Sequence, residues 1–162
     1  MSSRRAPRPD EVRRALAAVA AWVDARPDGP APDDSVPDPP RADRAAAVRT
    51  SLAALEHVAP GRSVEVRVPP FGAVHCVEGP RHTRGNPPNV VETDARTWCA
   101  LALGRARFDD AVAAGAVRAS GHRAPQVGHW LPLADADADA ATDADDRPVH
   151  DPAPDGVRDG AW

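Results

Sequence analysis

The residues best suited to chemistry in this chain lie together in one stretch, Gly79-Pro80-Arg81-His82-Thr83-Arg84-Gly85-Asn86-Pro87-Pro88-Asn89. Glycine and proline restrict its backbone, while two guanidinium groups and an imidazole stand almost side by side. A guanidinium can give two parallel hydrogen bonds to a carboxylate or phosphate. Arg81, His82 and Arg84 are therefore the candidate contacts for the polar head of an anionic ligand. The competing reading is a solvated loop whose arginines pair with Glu78, Glu92 or Asp94, pairs that contribute little to stability.

The other chemistry-bearing groups point nowhere specific. His75, Cys76, His82 and Cys99 could supply zinc ligands by type, but structural zinc sites use tight pairs such as CxxC, and adjacent strand residues face opposite ways. Cys76 and Cys99 read as small buried apolar groups, with His75 facing solvent. Asp135, Asp137, Asp139, Asp143 and Asp146 fall in a calcium-loop register, yet Ala140 stands where the sharp turn needs glycine. The phosphate-cradling GxxxxGK, GxGxxG, GxSxG and HExxH patterns are all missing from the sequence. No catalytic residue, metal site or cofactor is expected.

Local periodicity says which elements carry these groups. Val12, Leu16, Val19 and Val23 form a helical stripe over 10–25, with Trp22 beside it. Residues 26–40 hold six prolines and read as a stiff, solvated linker. A second helix over 41–59 carries Val48, Leu52, Leu55 and Ala59 on one face, and Pro60-Gly61 stops it. The period then changes to two in Ser63-Val64-Glu65-Val66-Arg67-Val68, a half-buried strand. Residues 69–72 turn, 73–78 return as a strand, and 89–93 make a third. Thr93 or Asp94 caps a helix over 95–103 that ends at Gly104. A short helix follows over 108–114, then a strand over 116–120, then a closing helix over 125–133 with Val127, Trp130 and Leu131 on its apolar side. This order is α+β, without the regular strand–helix alternation of a parallel sheet.

Composition narrows the function classes. The 162 residues include 19 prolines, no lysine, and 20 arginines against 24 acidic side chains. Residues 134–162 carry nine aspartates and two arginines, so this acidic tail holds a charge of −7 and the preceding 133 residues carry +3. The tail has almost nothing to bury and is expected to be disordered. A dense basic face with stacking aromatics is lacking, so no nucleic-acid partner is expected. No apolar run approaches the roughly 20 residues of a spanning helix, and two cysteines cannot staple this length. A reduced, cytoplasmic protein is the expectation. Four regions result: an N-terminal helical arm at 1–25, the linker at 26–40, a domain at 41–133 and the tail at 134–162.

The run Thr97-Trp98-Cys99-Ala100-Leu101-Ala102-Leu103-Gly104, then Phe108-Asp109-Asp110-Ala111, then Gly115-Ala116-Val117-Arg118-Ala119-Ser120-Gly121, resembles the C-terminal half of the sterol carrier protein type-two family. Val68-Pro69-Pro70-Phe71-Gly72-Ala73-Val74, Gly79-Pro80-Arg81-His82-Thr83-Arg84-Gly85 and Pro87-Pro88-Asn89-Val90-Val91-Glu92-Thr93-Asp94 are similar to its small actinobacterial branch, the bacterial sterol carrier orthologues. The resemblance covers about residues 41–133. It implies a curved, mostly antiparallel sheet of about five strands, with helices packed on one face and an apolar tunnel for a lipid or acyl chain. On that basis Val66, Phe71, Val74, Trp98, Leu101 and Trp130 are the expected apolar lining. The expected function is non-catalytic binding or carriage of a small amphipathic ligand. Two alternatives stand beside it: an accessory domain like those fused to mycothiol-dependent isomerases, and a protein-interaction module that uses the tail and linker.

Overall fold

The computed structural model describes residues 5–25, 36–80 and 88–134. Arg81, His82 and Arg84, most of the linker and the acidic tail from Asp135 onward lie outside the described residues.

The helical stripe near the N-terminus forms α1 (Pro9–Asp24). Proline at its first position costs no hydrogen bond, and Glu11 folds back to accept from the Arg8 backbone N–H at 2.9 Å. That bond, with Arg5 and Arg8 nearby, holds the Glu11 carboxyl below the usual carboxylate range. Val12, Leu16, Val19, Trp22 and Val23 are buried. Next comes α2 (Arg41–Val58), whose expected stripe of Val48, Leu52 and Leu55 is buried together with Ala47 and Ser51.

Four strands follow in the described residues: β1 (Val64–Val68), β2 (Gly72–Cys76), β3 (Val90–Thr93) and β4 (Val117–Ser120). Their spatial order is β2-β1-β3-β4. β1 pairs antiparallel with β2 and β3 antiparallel with β4, but β1 and β3 run parallel, with Val66 opposite Val91. The expected five-stranded, mostly antiparallel sheet is thus corrected to a four-stranded mixed sheet. The reason lies in where β3 docks: it takes the edge of β1 away from β2 and begins opposite Glu65, at the end of β1 where β2 finishes opposite Val64, so it runs in the same direction as β1. One face carries Val64, Val66, Val68, Val91, Thr93 and Val117, all buried, while Glu65, Arg67, Glu92 and Arg118 alternate on the other.

After β3, Asp94 caps α3 (Ala95–Ala102), accepting from the backbone of Arg96 at 2.9 Å and Thr97 at 3.0 Å. α4 (Phe108–Ala113) leads into β4. The expected closing α-helix over 125–133 is instead a 3₁₀ helix, Ala124–Trp130. Pro132 cannot donate to the Gly128 carbonyl four residues back, so an α-helix cannot run on to residue 133. α1 packs on α2 and α3, α2 also covers β2, and α4 lies against β4 and the 3₁₀ helix.

The interior is closed by side chains. Trp98 and Ser51 are both fully buried, and the indole Nε1–H donates to Ser51 Oγ at 2.8 Å. The Ser51 hydroxyl in turn donates to the Ala47 carbonyl at 2.7 Å. This satisfies the polar atom that a tryptophan brings into an apolar core. Another tight contact sets the end of β2. Val77 adopts φ 63°, and a Cβ on Gly61 (φ 150°) would lie 2.1 Å from the Val77 carbonyl oxygen. Only glycine lets the two backbones approach this closely.

Candidate functional site

The sequence loop with Arg81, His82 and Arg84 is clasped at both roots. Ser63 Oγ donates to the Val77 carbonyl at 2.8 Å, and Asn89 Nδ2 donates to the Ser63 carbonyl at 2.8 Å. Asn89 Oδ1 accepts from the Arg123 N–H at 3.0 Å, and Arg123 Nη1 donates to the Glu78 carbonyl at 3.0 Å. Gly121 (φ 90°) completes the clasp, since a Cβ there would sit 2.2 Å from the Pro88 carbonyl oxygen. The three candidate head-group residues themselves lie outside the described residues.

The six expected lining residues divide between interior and rim. Val66, Trp98 and Leu101 are no more than 1% exposed and belong to the packed core. Val74 is half-buried opposite Val66 in the β1–β2 register. Phe71 sits in the turn before β2 beneath Arg41, whose guanidinium is 5.3 Å from the ring centre, and its carbonyl accepts from Arg49 Nε at 2.9 Å. Trp130 is half-buried at the end of the 3₁₀ helix, 6.1 Å from the His129 ring. None of the six lines either of the two clefts described next.

Both clefts open around the connection between α3 and α4. Gly104, at φ 72°, ends α3 in the left-handed conformation, and the N–H groups of Arg105 and Ala106 both point at the Ala100 carbonyl. On one side lies an open cleft of about 660 Å³ with Leu103, Phe108, Pro125, Leu131 and Pro132 as its apolar floor and Arg105, Arg107, Asp109, Gln126 and His129 around it. On the other lies a cleft of about 950 Å³ walled by Val23, Ala100, Ala111, Ala114 and Ala116, with Asp24, Arg96, Arg105, Arg107 and Asp110 supplying charge. Arg105 and Arg107 face both.

The charges are partly spent on one another. Arg105 Nε pairs with Asp24 at 2.9 Å, and Arg107 approaches Asp110 at 3.9 Å, both in exposed settings where such pairs exchange readily. Arg96 donates to the Trp22 carbonyl and lies 5.1 Å from the centre of the Trp22 ring, while its buried Nε has no hydrogen-bond partner among the described residues. Three guanidiniums over apolar and small side chains can receive a carboxylate or phosphate whose tail is apolar. The sequence reading passed over Arg96, Arg105 and Arg107. The available signal was their grouping around the helix stop at Gly104.

Nucleophilic chemistry finds no footing in the two thiols. Burial pushes Cys76 and Cys99 up to about 12, with Glu56 adding to the first and Asp94 to the second. Both are free and buried, so neither presents a thiolate near neutral pH. His75, opposite Glu65, lies on the charged face of the sheet. Among the described residues no group of three His, Cys, Asp or Glu side chains converges to hold a metal ion, and no helix is long and apolar enough to cross a membrane.

No curated protein matches the chain. The family model described as bacterial SCP ortholog matches residues 40–133, from the residue before α2 to three residues past the 3₁₀ helix. That match spans more than half of the 162 residues and takes in all four strands, so the chain belongs to the bacterial SCP ortholog family, proteins of sterol carrier type.

Proposed function

We propose that the protein is a non-catalytic carrier for a small anionic amphipathic molecule with a lipid or acyl-type tail. The observation that carries this reading is the pair of adjoining clefts, which set Arg96, Arg105 and Arg107 beside Phe108, Leu103, Leu131 and a wall of alanines. Such a surface suits a ligand with a charged head and an apolar body. Membership of a sterol-carrier-type family supports the same class of ligand. Arg81, His82 and Arg84 are a second set of head-group contacts on this reading. Of the expected lining, Val66, Phe71, Trp98 and Leu101 become available to the tail only where the packed interior opens, while Val74 and Trp130 are half-buried at its rim. Two free, buried cysteines suit a reducing compartment, and the cytoplasm is the location this reading favours.

Calorimetric titration with dodecanoate, and with dodecanol as the uncharged control, tests the proposal. Dodecanoate is expected to bind, and dodecanol much more weakly. The double variant Arg105→Ala/Arg107→Ala should lose about tenfold or more in affinity, because charge-assisted hydrogen bonds vanish. If Arg81→Ala/Arg84→Ala causes that loss instead, the head group sits on the loop and not in the clefts. Absence of binding by dodecanoate and by a lysophospholipid overturns the carrier reading.

A further inference from the structure

α1 precedes the family match, yet it contributes five side chains to the core. Among the described residues, its polar attachments to the rest of the protein cluster at its C-terminal end. Trp22 Nε1 donates to Asp38 at 2.7 Å, the Trp22 carbonyl accepts from Arg96, and Asp24 pairs with Arg105 at 2.9 Å. The guanidinium groups of Arg44 and Arg96 lie 6.0 and 5.1 Å from the indole centre. At the other end, Arg5, Arg8 and Arg14 pair with Asp10 and Glu11 in and beside the same helix. The clamp is one-sided.

Two of the clamping guanidiniums, Arg96 and Arg105, are also two of the three that face the larger cleft. Val23 belongs both to the wall of that cleft and to the core, where it is 5% exposed. The groups that would recognise an anion are thus the groups that hold the helix end down, and the side chain between cleft and interior belongs to that same end.

We propose that the C-terminal turn of α1 is a ligand-operated door to an acyl-chain site between α2 and α3. An anionic head that pairs with Arg96 and Arg105 takes them from the Trp22 carbonyl and from Asp24. Trp22 and Val23 then swing out, and the acyl chain fills the slot they leave. A head group alone loosens the turn, since an emptied apolar slot is costly; head and chain together open it. Because the coupling is reciprocal, weakening the clamp strengthens binding. The ligand class rests on the carrier reading above, whereas the shared guanidiniums are a feature of this fold alone.

Hydrogen exchange of the full chain, read by mass spectrometry, tests the door. Saturating dodecanoate should speed exchange in residues 19–24 about tenfold while α3 and the strands keep their protection. Inorganic phosphate should give a smaller rise than dodecanoate, and sodium chloride at matched ionic strength none. Trp22→Phe, which removes the bond to Asp38 without altering a cleft wall, should bind dodecanoate about fivefold more tightly. Should that variant fail to fold, Asp38→Ala removes the same bond from the other side. Dodecanoate that binds while residues 19–24 exchange at an unchanged or slower rate overturns the door and leaves the carrier reading standing. Dodecanoate that does not bind removes the carrier reading, and the door with it.

Discussion

Ser51→Ala probes whether the centre of this domain is as solid as its packing indicates. The substitution deletes one oxygen, the acceptor of the Trp98 indole N–H at 2.8 Å, at a position with no solvent exposure. A buried donor left without a partner costs about 1–3 kcal/mol. Alanine returns roughly 0.5 kcal/mol by its better helix propensity in α2. The net loss is about 1.5 kcal/mol, which for a domain of this size lowers the melting midpoint by about 6–12 °C. Urea unfolding followed by circular dichroism measures it, and a double-mutant cycle with Trp98→Phe isolates it. Without the indole N–H there is no donor to strand, so in the Trp98→Phe background Ser51→Ala should be neutral or slightly stabilising. A coupling of about 1.5–2.5 kcal/mol is expected. Strict additivity, or a single variant as stable as the parent, would mean that water reaches the indole and that the interior already contains a wet channel.

Other perturbations test the remaining features. Gly61→Ala places a Cβ against the Val77 carbonyl at a φ unsuited to L side chains, and should cost at least roughly 2 kcal/mol in the same urea assay. Asn89→Ala strips the Ser63 carbonyl and the Arg123 N–H of their partner at once; a loss of about 2–4 kcal/mol is expected, together with faster exchange at the Arg123 amide. Cys76 and Cys99, both held up at about 12 by burial, should resist a thiol reagent in the native protein at neutral pH and react fully in denaturant. The Glu65 carboxyl is lowered chiefly by the hydrogen bond from Arg67 at 2.8 Å. Its folded value therefore lies below the unfolded one, so its contribution is complete above the unfolded value of 4.5 and is lost as pH falls through the folded one. Glu65→Gln should flatten the loss of stability as pH falls below 4.5, and an unchanged acid limb would count against the pair.

The local elements were readable from residue order because each rests on neighbours in the chain. The stripe of Val12, Leu16, Val19 and Val23 repeats every three or four residues, and it is the buried face of α1. The alternation Val64-Glu65-Val66-Arg67-Val68 repeats every two, and it became β1 with its valines inward. Asp94 caps α3 because its carboxylate can reach N–H groups two and three residues ahead. Periodicity and capping are short-range physics, and one strand of text contains them. The burial of Cys76 and Cys99 followed from composition for a similar reason: small apolar side chains on strand and helix go inward.

Tertiary structure decided everything that joins distant stretches. Residue order suggests that successive strands turn back on each other, and nothing local says that β3 pairs with β1, parallel to it and on the side away from β2. Trp98 and Ser51 meet across 47 residues, a contact that only the packing of α3 on α2 creates. The clefts are likewise products of docking, since Arg105 meets Asp24 across 81 positions and Arg96 meets Trp22 across 74. A guanidinium's meaning depends on which carboxylate, carbonyl or open space lies beside it, and that is settled by how helices pack, where side-chain volume and shape outweigh spacing along the chain.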